Sequence, residues 1–466
     1  MSLRRLALSF ALFSIAFNPV SASDPEDETT FSSEITVTAT GDETPADEVP
    51  LPITVVSSEE IEQAQTPSVA DVIRRAPGLN VVQSSGPGSL TSVFIRGAES
   101  DHTLVLIDGV RLNSPYFGGF DFSQLTTTGL DRIEIARGPF SALWGADAVG
   151  GVINLIPGRG ADGFHGSLFA EGGQDSWERY EGSFSWGSDS FDLTASGVKR
   201  SVEGDLYNSD SDIKSALVNG GWSWGLGRRV SLLYHRSDSD LGIPFSSPGS
   251  LTPERRQQAD QTTLAVPFRW AVSDRWQLEM TVSKVDRNLE FSDPDDPWGF
   301  TWSRTEADTT EVRAASHHTL GRHRLSWGAE WRSDEVTDRS VFGSNLDAVD
   351  TDMTSLFAQD VWNPSNSVTV VVGARWDDAD QWGSELSPRV NLGWRASGRL
   401  ELRAGYGEAY RQPSVGELYF PFSGNPDLQP ETSDSLVIST SRLVATLGVK
   451  DLDLDSVEPE GRTLQQ

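Results

Sequence analysis

A period-of-two alternation of apolar and polar residues begins after Phe164 and continues almost to the end of the chain. Leu325, Trp327, Ala329 and Trp331 fall on one side of an extended segment, and Arg324, Ser326, Glu330 and Arg332 on the other. The pattern recurs at Val368, Val370, Val372, Ala374 and Trp376, at Phe191, Leu193 and Ala195, and at Leu278, Met280 and Val282. A soluble sandwich alternates in the same way, so the links must decide. Short links lie near 187–190, 225–228, 272–275, 319–322, 363–366 and 396–398. Long ones lie near 201–213, 238–259, 288–307, 335–350 and 411–431, with a shorter one near 378–385. Short turns at one end and longer loops at the other are a property of transmembrane β-barrels. Tryptophans near strand ends (Trp177, Trp270, Trp276, Trp298, Trp302, Trp362 and Trp382) suit an interfacial girdle.

Composition narrows the function classes. A formal charge of −31 argues against nucleic acid, because phosphate binding needs clustered Lys and Arg. With no cysteine there is no disulfide scaffold, thiolate metal site or Cys nucleophile. Arg4 and Arg5, an apolar run over 6–17 and the small residues Val20, Ser21 and Ala22 make residues 1–22 a secretory signal peptide. No later run reaches the roughly 20 apolar residues of a membrane-spanning helix, so any membrane passage is by strands. Residues 23–50 form an acidic leader, interrupted by Ile35, Thr36, Val37, Thr38, Ala39 and Thr40. That hexamer reads either as a chance β-rich stretch or as a strand ready to add to a partner's sheet edge. Residues 51–157 read as a compact α/β domain. It has a strand over 53–56, a helix capped by Ser57 or Ser58, a second helix over 69–75, and strands over 93–95 and 104–107 closed by Asp108-Gly109.

Four stretches resemble a known family, the TonB-dependent outer-membrane receptors: 86–97 (GPGSLTSVFIRG), 104–113 (LVLIDGVRLN), 136–155 (ARGPFSALWGADAVGGVINL) and 406–431 (YGEAYRQPSVGELYFPFSGNPDLQPE). Within it the chain is most similar to the cobalamin receptors, through 92–97, 102–113 and a short plug. The resemblance implies a plug inside a 22-stranded barrel in the outer membrane of a Gram-negative bacterium, facing lipid and lipopolysaccharide. It implies uptake of cobalamin, or of a ferric siderophore as the alternative, powered through TonB. Residues 35–40 then match the TonB box. Arg96, Glu99, Glu134 and Arg137 match residues that lock the plug to the barrel wall, with plug-internal salt bridging as the other reading. Gly145, Gly150 and Gly151 mark tight turns.

Two plug loops are expected to face the substrate, if they are not mobile loops without ligand contact. One offers Gln83, Ser84, Ser85, Ser89 and Leu90, the other Tyr116, Phe117 and Phe120. Backbone donors and flat aromatic surface are what a corrin with amide side chains needs. Asp210, Asp212, Asp238 and Asp240 are candidate Ca²⁺ ligands, since calcium takes 6–8 oxygens and cobalamin receptors bind it in the corresponding loops; a solvated acidic rim is the alternative. His317, His318 and His323 surround a short turn, away from any outer haem site. The absence of H-E-x-x-H, and of any evident nucleophile–base pair, gives no case for an enzyme.

One departure stands out. About fourteen strands fit between Phe164 and Thr440, some eight fewer than a 22-stranded barrel. Residues 443–466 form an atypical acidic tail and not the aromatic-terminated strand of the family. The expectation is a C-terminally truncated, partial barrel over 164–442, through a frameshift, early stop or gene-model error. Such a chain would not transport, and a non-functional surface binding protein is the further alternative.

Overall fold

The computed structural model describes residues 36–37, 44–45 and 52–441, except 226, 248–249, 398–399 and 422. The signal peptide, most of the leader and the acidic tail lie outside the described residues.

The N-terminal unit is built on a five-stranded mixed sheet. Its order is Ile53–Ser57, Leu130–Arg137, Gly151–Pro157, Thr103–Ile107, Val110–Arg111, with Thr103–Ile107 parallel to Gly151–Pro157. Ser57 caps the helix Ser58–Ala64 through a capping box with Glu60, which satisfies two otherwise orphaned N–H groups. Asp108 and Gly109 both take positive φ (47° and 81°), the geometry of a tight hairpin turn. The second helix, Val69–Ile73, stops before Pro77, as proline requires. Val105, Ile107, Ile133, Ile135, Ile153 and Leu155 are sealed within this unit.

Around it stands one sheet of 14 antiparallel strands, from Gly163–Gly172 to Glu431–Ser441, each paired with its sequence neighbour. The count agrees with the fourteen expected from the alternation. Among the described residues the sheet is an open wall, its first and last strands being its edges. Short links of two or three residues (188–190, 274–275, 321–322 and 366–367) lie at one end. At the other end lie 203–210, 243–255, 293–301 and 412–430. The long loop expected over 335–350 does not form. His323–Ser340 and Gly343–Ser365 run almost to the tip, joined by Val341 and Phe342. On the first of these strands Glu335 and Arg339 lie exposed on the outer face, while Val336, Asp338 and Ser340 on the inner face are buried. A 23-residue strand spans far more than the roughly 25 Å apolar band of such barrels.

The wall is inside-out relative to a soluble protein. Along His323–Ser340, Trp327 (52% exposed) and Trp331 (43%) face outward, while Glu330 (4%) and Arg332 (2%) face the plug. Val372 and Trp376 are outward and Arg375 and Asp377 inward on Val368–Ala379. Aromatics gather at the short-turn end: Phe191, Trp222, Trp224 and Phe268 form a run of ring contacts, and His318 stacks between Trp276 and Trp327. Trp382 is no girdle residue, since its ring meets the buried Tyr410. Among the described residues no helix is long and apolar enough to cross a membrane.

Candidate functional site: a cup between plug and wall

A cavity of about 500 Å³ opens between the plug and the strands Arg256–Ser273, Trp276–Ser292 and Trp302–Leu320. The plug side presents Leu90, Leu112, Phe117 and Phe120, and the wall side Gln257, Gln261, Arg287 and Thr305. The loop carrying the two phenylalanines is held from beneath by Asn113, which is buried. Its Nδ2 donates to the carbonyls of Thr103 (3.0 Å) and Gly118 (3.1 Å), and its Oδ1 accepts from Val105 N (2.8 Å). Ser114 N to Gly119 O (3.0 Å) closes the loop above it. Asp121, beneath Phe120, accepts from the backbone N–H groups of Thr91 and Ser123, both at 2.9 Å. Burial nevertheless pushes its carboxyl up from the ordinary carboxylate range.

Of the eight residues expected to meet substrate, Leu90, Phe117 and Phe120 line the cup. Gln83 and Ser89 turn their side chains into their own loop, and Ser84 and Ser85 bond within it through their backbone N–H groups. Gln83 Nε2 donates to Gly86 O (2.9 Å), Ser84 N to Leu90 O (3.0 Å) and Ser85 N to Ser89 Oγ (2.9 Å). Tyr116 points away and packs on Val415 and Tyr419 of the outer-loop helix Val415–Tyr419, where burial raises its hydroxyl to about 12. The wall residues Gln257, Gln261, Arg287 and Thr305 escaped the sequence reading. Their signal is polarity at consecutive inward positions of neighbouring strands, visible only once inward and outward are assigned.

The four plug–wall lock candidates do not converge. Glu134 is buried and accepts from Arg132 Nε (2.9 Å). Arg137 donates to Pro77 O (2.5 Å) and Thr54 Oγ1 (2.6 Å), Glu99 reaches the cup, and Arg96 is exposed. Plug-internal salt bridging describes Glu134, paired with Arg132, whereas Arg137 holds a plug carbonyl and a plug hydroxyl. The wall grips the plug elsewhere, through inward arginines on plug carbonyls. Arg287 Nε donates to Leu112 O (3.2 Å), and Arg313 and Arg375 donate to Leu143 O (3.4 and 3.3 Å). Leu143 belongs to the short plug helix Ser141–Trp144, whose last carbonyls have no helical partner. Arg411 adds an ion pair to Asp101 at 3.4 Å.

Asp210, Asp212, Asp238 and Asp240 share one patch, and Asp212 and Asp240 are cross-strand partners. Each carboxylate is already taken by a cation. Arg256 holds Asp210 (2.8 Å) and Asp240 (2.6 Å), Lys214 holds Asp212 (2.9 Å), and Arg236 holds Asp238 (2.7 Å). Its hydrogen bond from Arg256 keeps the Asp210 carboxyl below its ordinary value. Among the described residues no group of three or more His, Cys, Asp or Glu is disposed to hold a metal ion. With Arg256 between the aspartates, this arrangement does not fit a calcium site.

Residues 45–152 match the TonB-dependent Receptor Plug Domain model, and residues 116–454 the TonB dependent receptor-like β-barrel model. The chain is 31% identical over 426 residues to the vitamin B12 transporter BtuB of Photobacterium profundum. That match covers 87% of this chain and 66% of the relative, so the chain spans a little under two thirds of its length. Among solved structures it resembles the siderophore receptor PirA of Acinetobacter baumannii (TM-score 0.71, 19% identity, 83% of this chain and 68% of that one). It also resembles the ferric yersiniabactin uptake receptor FyuA of Yersinia pestis (TM-score 0.69, 15% identity, 85% and 70%). At these identities the structures speak for the fold. Receptors of this kind reside in the Gram-negative outer membrane, and both domain models together with the plug-and-wall architecture place this chain among the TonB-dependent receptors.

Proposed function

We propose that this protein binds cobalamin in the cup and carries it across the outer membrane, with energy delivered by TonB. The observation that carries this reading is the 31% identity to a vitamin B12 transporter over 87% of the chain. The cup supports it: Phe117 and Phe120 offer flat apolar surface, and Gln257, Gln261 and Thr305 offer amide and hydroxyl partners. Such a mix suits a corrin ring fringed with amides. Outer-membrane lipid and lipopolysaccharide would meet the outward apolar band.

TonB would add the segment Ile35, Thr36, Val37, Thr38, Ala39 and Thr40 to its own sheet edge. Of these, Thr36–Val37 lies within the described residues and pairs antiparallel with Thr44–Pro45; the other four lie outside them. No step of this reading runs through calcium.

The test is uptake of cyanocobalamin by a strain lacking its own cobalamin receptor and expressing this chain, with and without TonB. TonB-dependent uptake is expected. Binding without uptake would leave a surface binding protein, and uptake of a ferric siderophore instead would favour the other member of the class.

A further inference from the structure

Charge is a property of the cup that the cobalamin reading leaves unused. Among the described residues lining it, Glu99, Asp101, Asp121 and Asp260 are acidic and Arg287 is basic. Arg287 is not available to a ligand. Its guanidinium is spent on Leu112 O (3.2 Å), Arg111 O (3.4 Å) and Thr309 Oγ1 (3.0 Å). The carboxylates are poorly neutralised. Asp101 shares Arg411 with Glu417 and Glu431, so that one cation serves three carboxylates, and its Oδ1 is without a hydrogen-bond partner. Asp260 alternates with the inward Ala259 and Gln261, so its carboxylate lies on the outer face of the wall, beside Arg236 (3.9 Å) and Asn288 Nδ2 (3.1 Å). Glu99 is exposed at the rim. Asp121 is spent on backbone N–H groups, so the field comes from Glu99 and Asp101.

We propose that the cup selects its ligand by charge, admitting a neutral or cationic amide-bearing chelate and rejecting polyanionic ones, with Glu99 and Asp101 as the specificity-determining groups. A concave site lined by one sign of charge focuses its field on the ligand. A ferric tris-catecholate carries three negative charges and needs free Arg or Lys donors, which the described residues of this cup do not offer. The proposal rests on the reading of the cup as the ligand site.

The test holds ligand shape fixed and varies charge. The full chain in detergent is titrated with cyanocobalamin, with the derivative in which one side-chain amide is hydrolysed to a carboxylate, and with that carboxylate capped by ethylenediamine. A cationic ferric tris-hydroxamate and an anionic ferric tris-catecholate complete the set. Affinity is expected to rise about threefold to tenfold with each step from acid to neutral to amine. Added salt should compress the series, and Glu99→Gln should flatten it, whereas Asp260→Asn on the outer face should not. Three equal affinities would overturn the charge proposal while leaving the cobalamin reading intact. Binding of the cationic hydroxamate without any cobalamin would do the reverse. Tightest binding of the tris-catecholate would overturn both. The salt arm needs no substitution, so a variant that fails to fold leaves the proposal open to refutation.

Discussion

Gly145 closes the helix Ser141–Trp144 at φ 72° and ψ −144°, a region that is open almost exclusively to glycine. A Cβ there would lie 2.9 Å from Arg375 Nε. Gly145→Ala is therefore expected to lower stability by about 1–3 kcal/mol, read as a shift in the urea midpoint of the refolded protein. Arg375 is fully buried, pairs with Glu330 (2.9 Å) and Asp377 (2.7 Å), and holds Leu143 O of the plug. Arg375→Ala strands the buried Asp377 and leaves Glu330 to Arg313 alone (3.0 Å), and should cost about 3–5 kcal/mol. Limited proteolysis should then cut the plug faster than the wall; unchanged plug protection would dismiss this residue as a clamp. At this scale the sequence was partly legible. An arginine–carboxylate lock at Arg96, Glu99, Glu134 and Arg137 was expected, whereas Arg313 and Arg375 of the wall hold the plug carbonyl of Leu143 and Arg411 pairs with the plug's Asp101. The partner of an inward wall arginine is chosen by the three-dimensional nesting of plug in wall, which sequence spacing does not encode.

Among the elements, the outer-loop helix Val415–Tyr419 joins loop to plug. Ser414 and Glu417 form a capping box, and the backbone N–H groups of Val415 and Gly416 donate to Pro115 O (2.9 Å) and Tyr116 O (3.2 Å). A Cβ on Gly416 would sit 2.7 Å from that Tyr116 oxygen, so the contact needs glycine. Ser414→Ala should weaken the helix by about 1 kcal/mol, seen as faster amide exchange over 414–419. The hydrogen bond from Arg411 holds the Glu417 carboxyl down to about 2. A depressed carboxyl stabilises the fold above its unfolded value near 4.3, and that stabilisation fades as pH falls from there toward about 2. Amide protection of this helix should fall across that window; a pH-independent profile would show that the Glu417–Arg411 pair does not hold the loop. The strands themselves were legible from alternation alone. The exception, 335–350, was read as loop because its charges hid a ladder whose inner face, at Val336, Asp338 and Leu346, is buried.

For the molecule as a whole, the inverted pattern of burial makes a direct prediction. In vesicles of brominated lipid, fluorescence from the outward Trp327, Trp331 and Trp376 should be quenched strongly, and that from Trp144, only 8% exposed against the wall, weakly. Single-tryptophan variants would report each position separately. Equal quenching at all four would mean that the wall does not stand in lipid with its outer face outward. The sequence by itself determined the class of architecture, because a backbone in lipid can be satisfied only by helices or paired strands, and the alternation with its unequal links left strands. It likewise determined which residues along each strand share a face. The tertiary structure alone decided which of those residues meet the plug, that the serines of 84–89 bond within their own loop, and that Arg256 occupies the space between the candidate calcium ligands. Period and composition act along the chain, whereas a cup is made by side chains hundreds of residues apart whose meeting depends on how one body packs inside another.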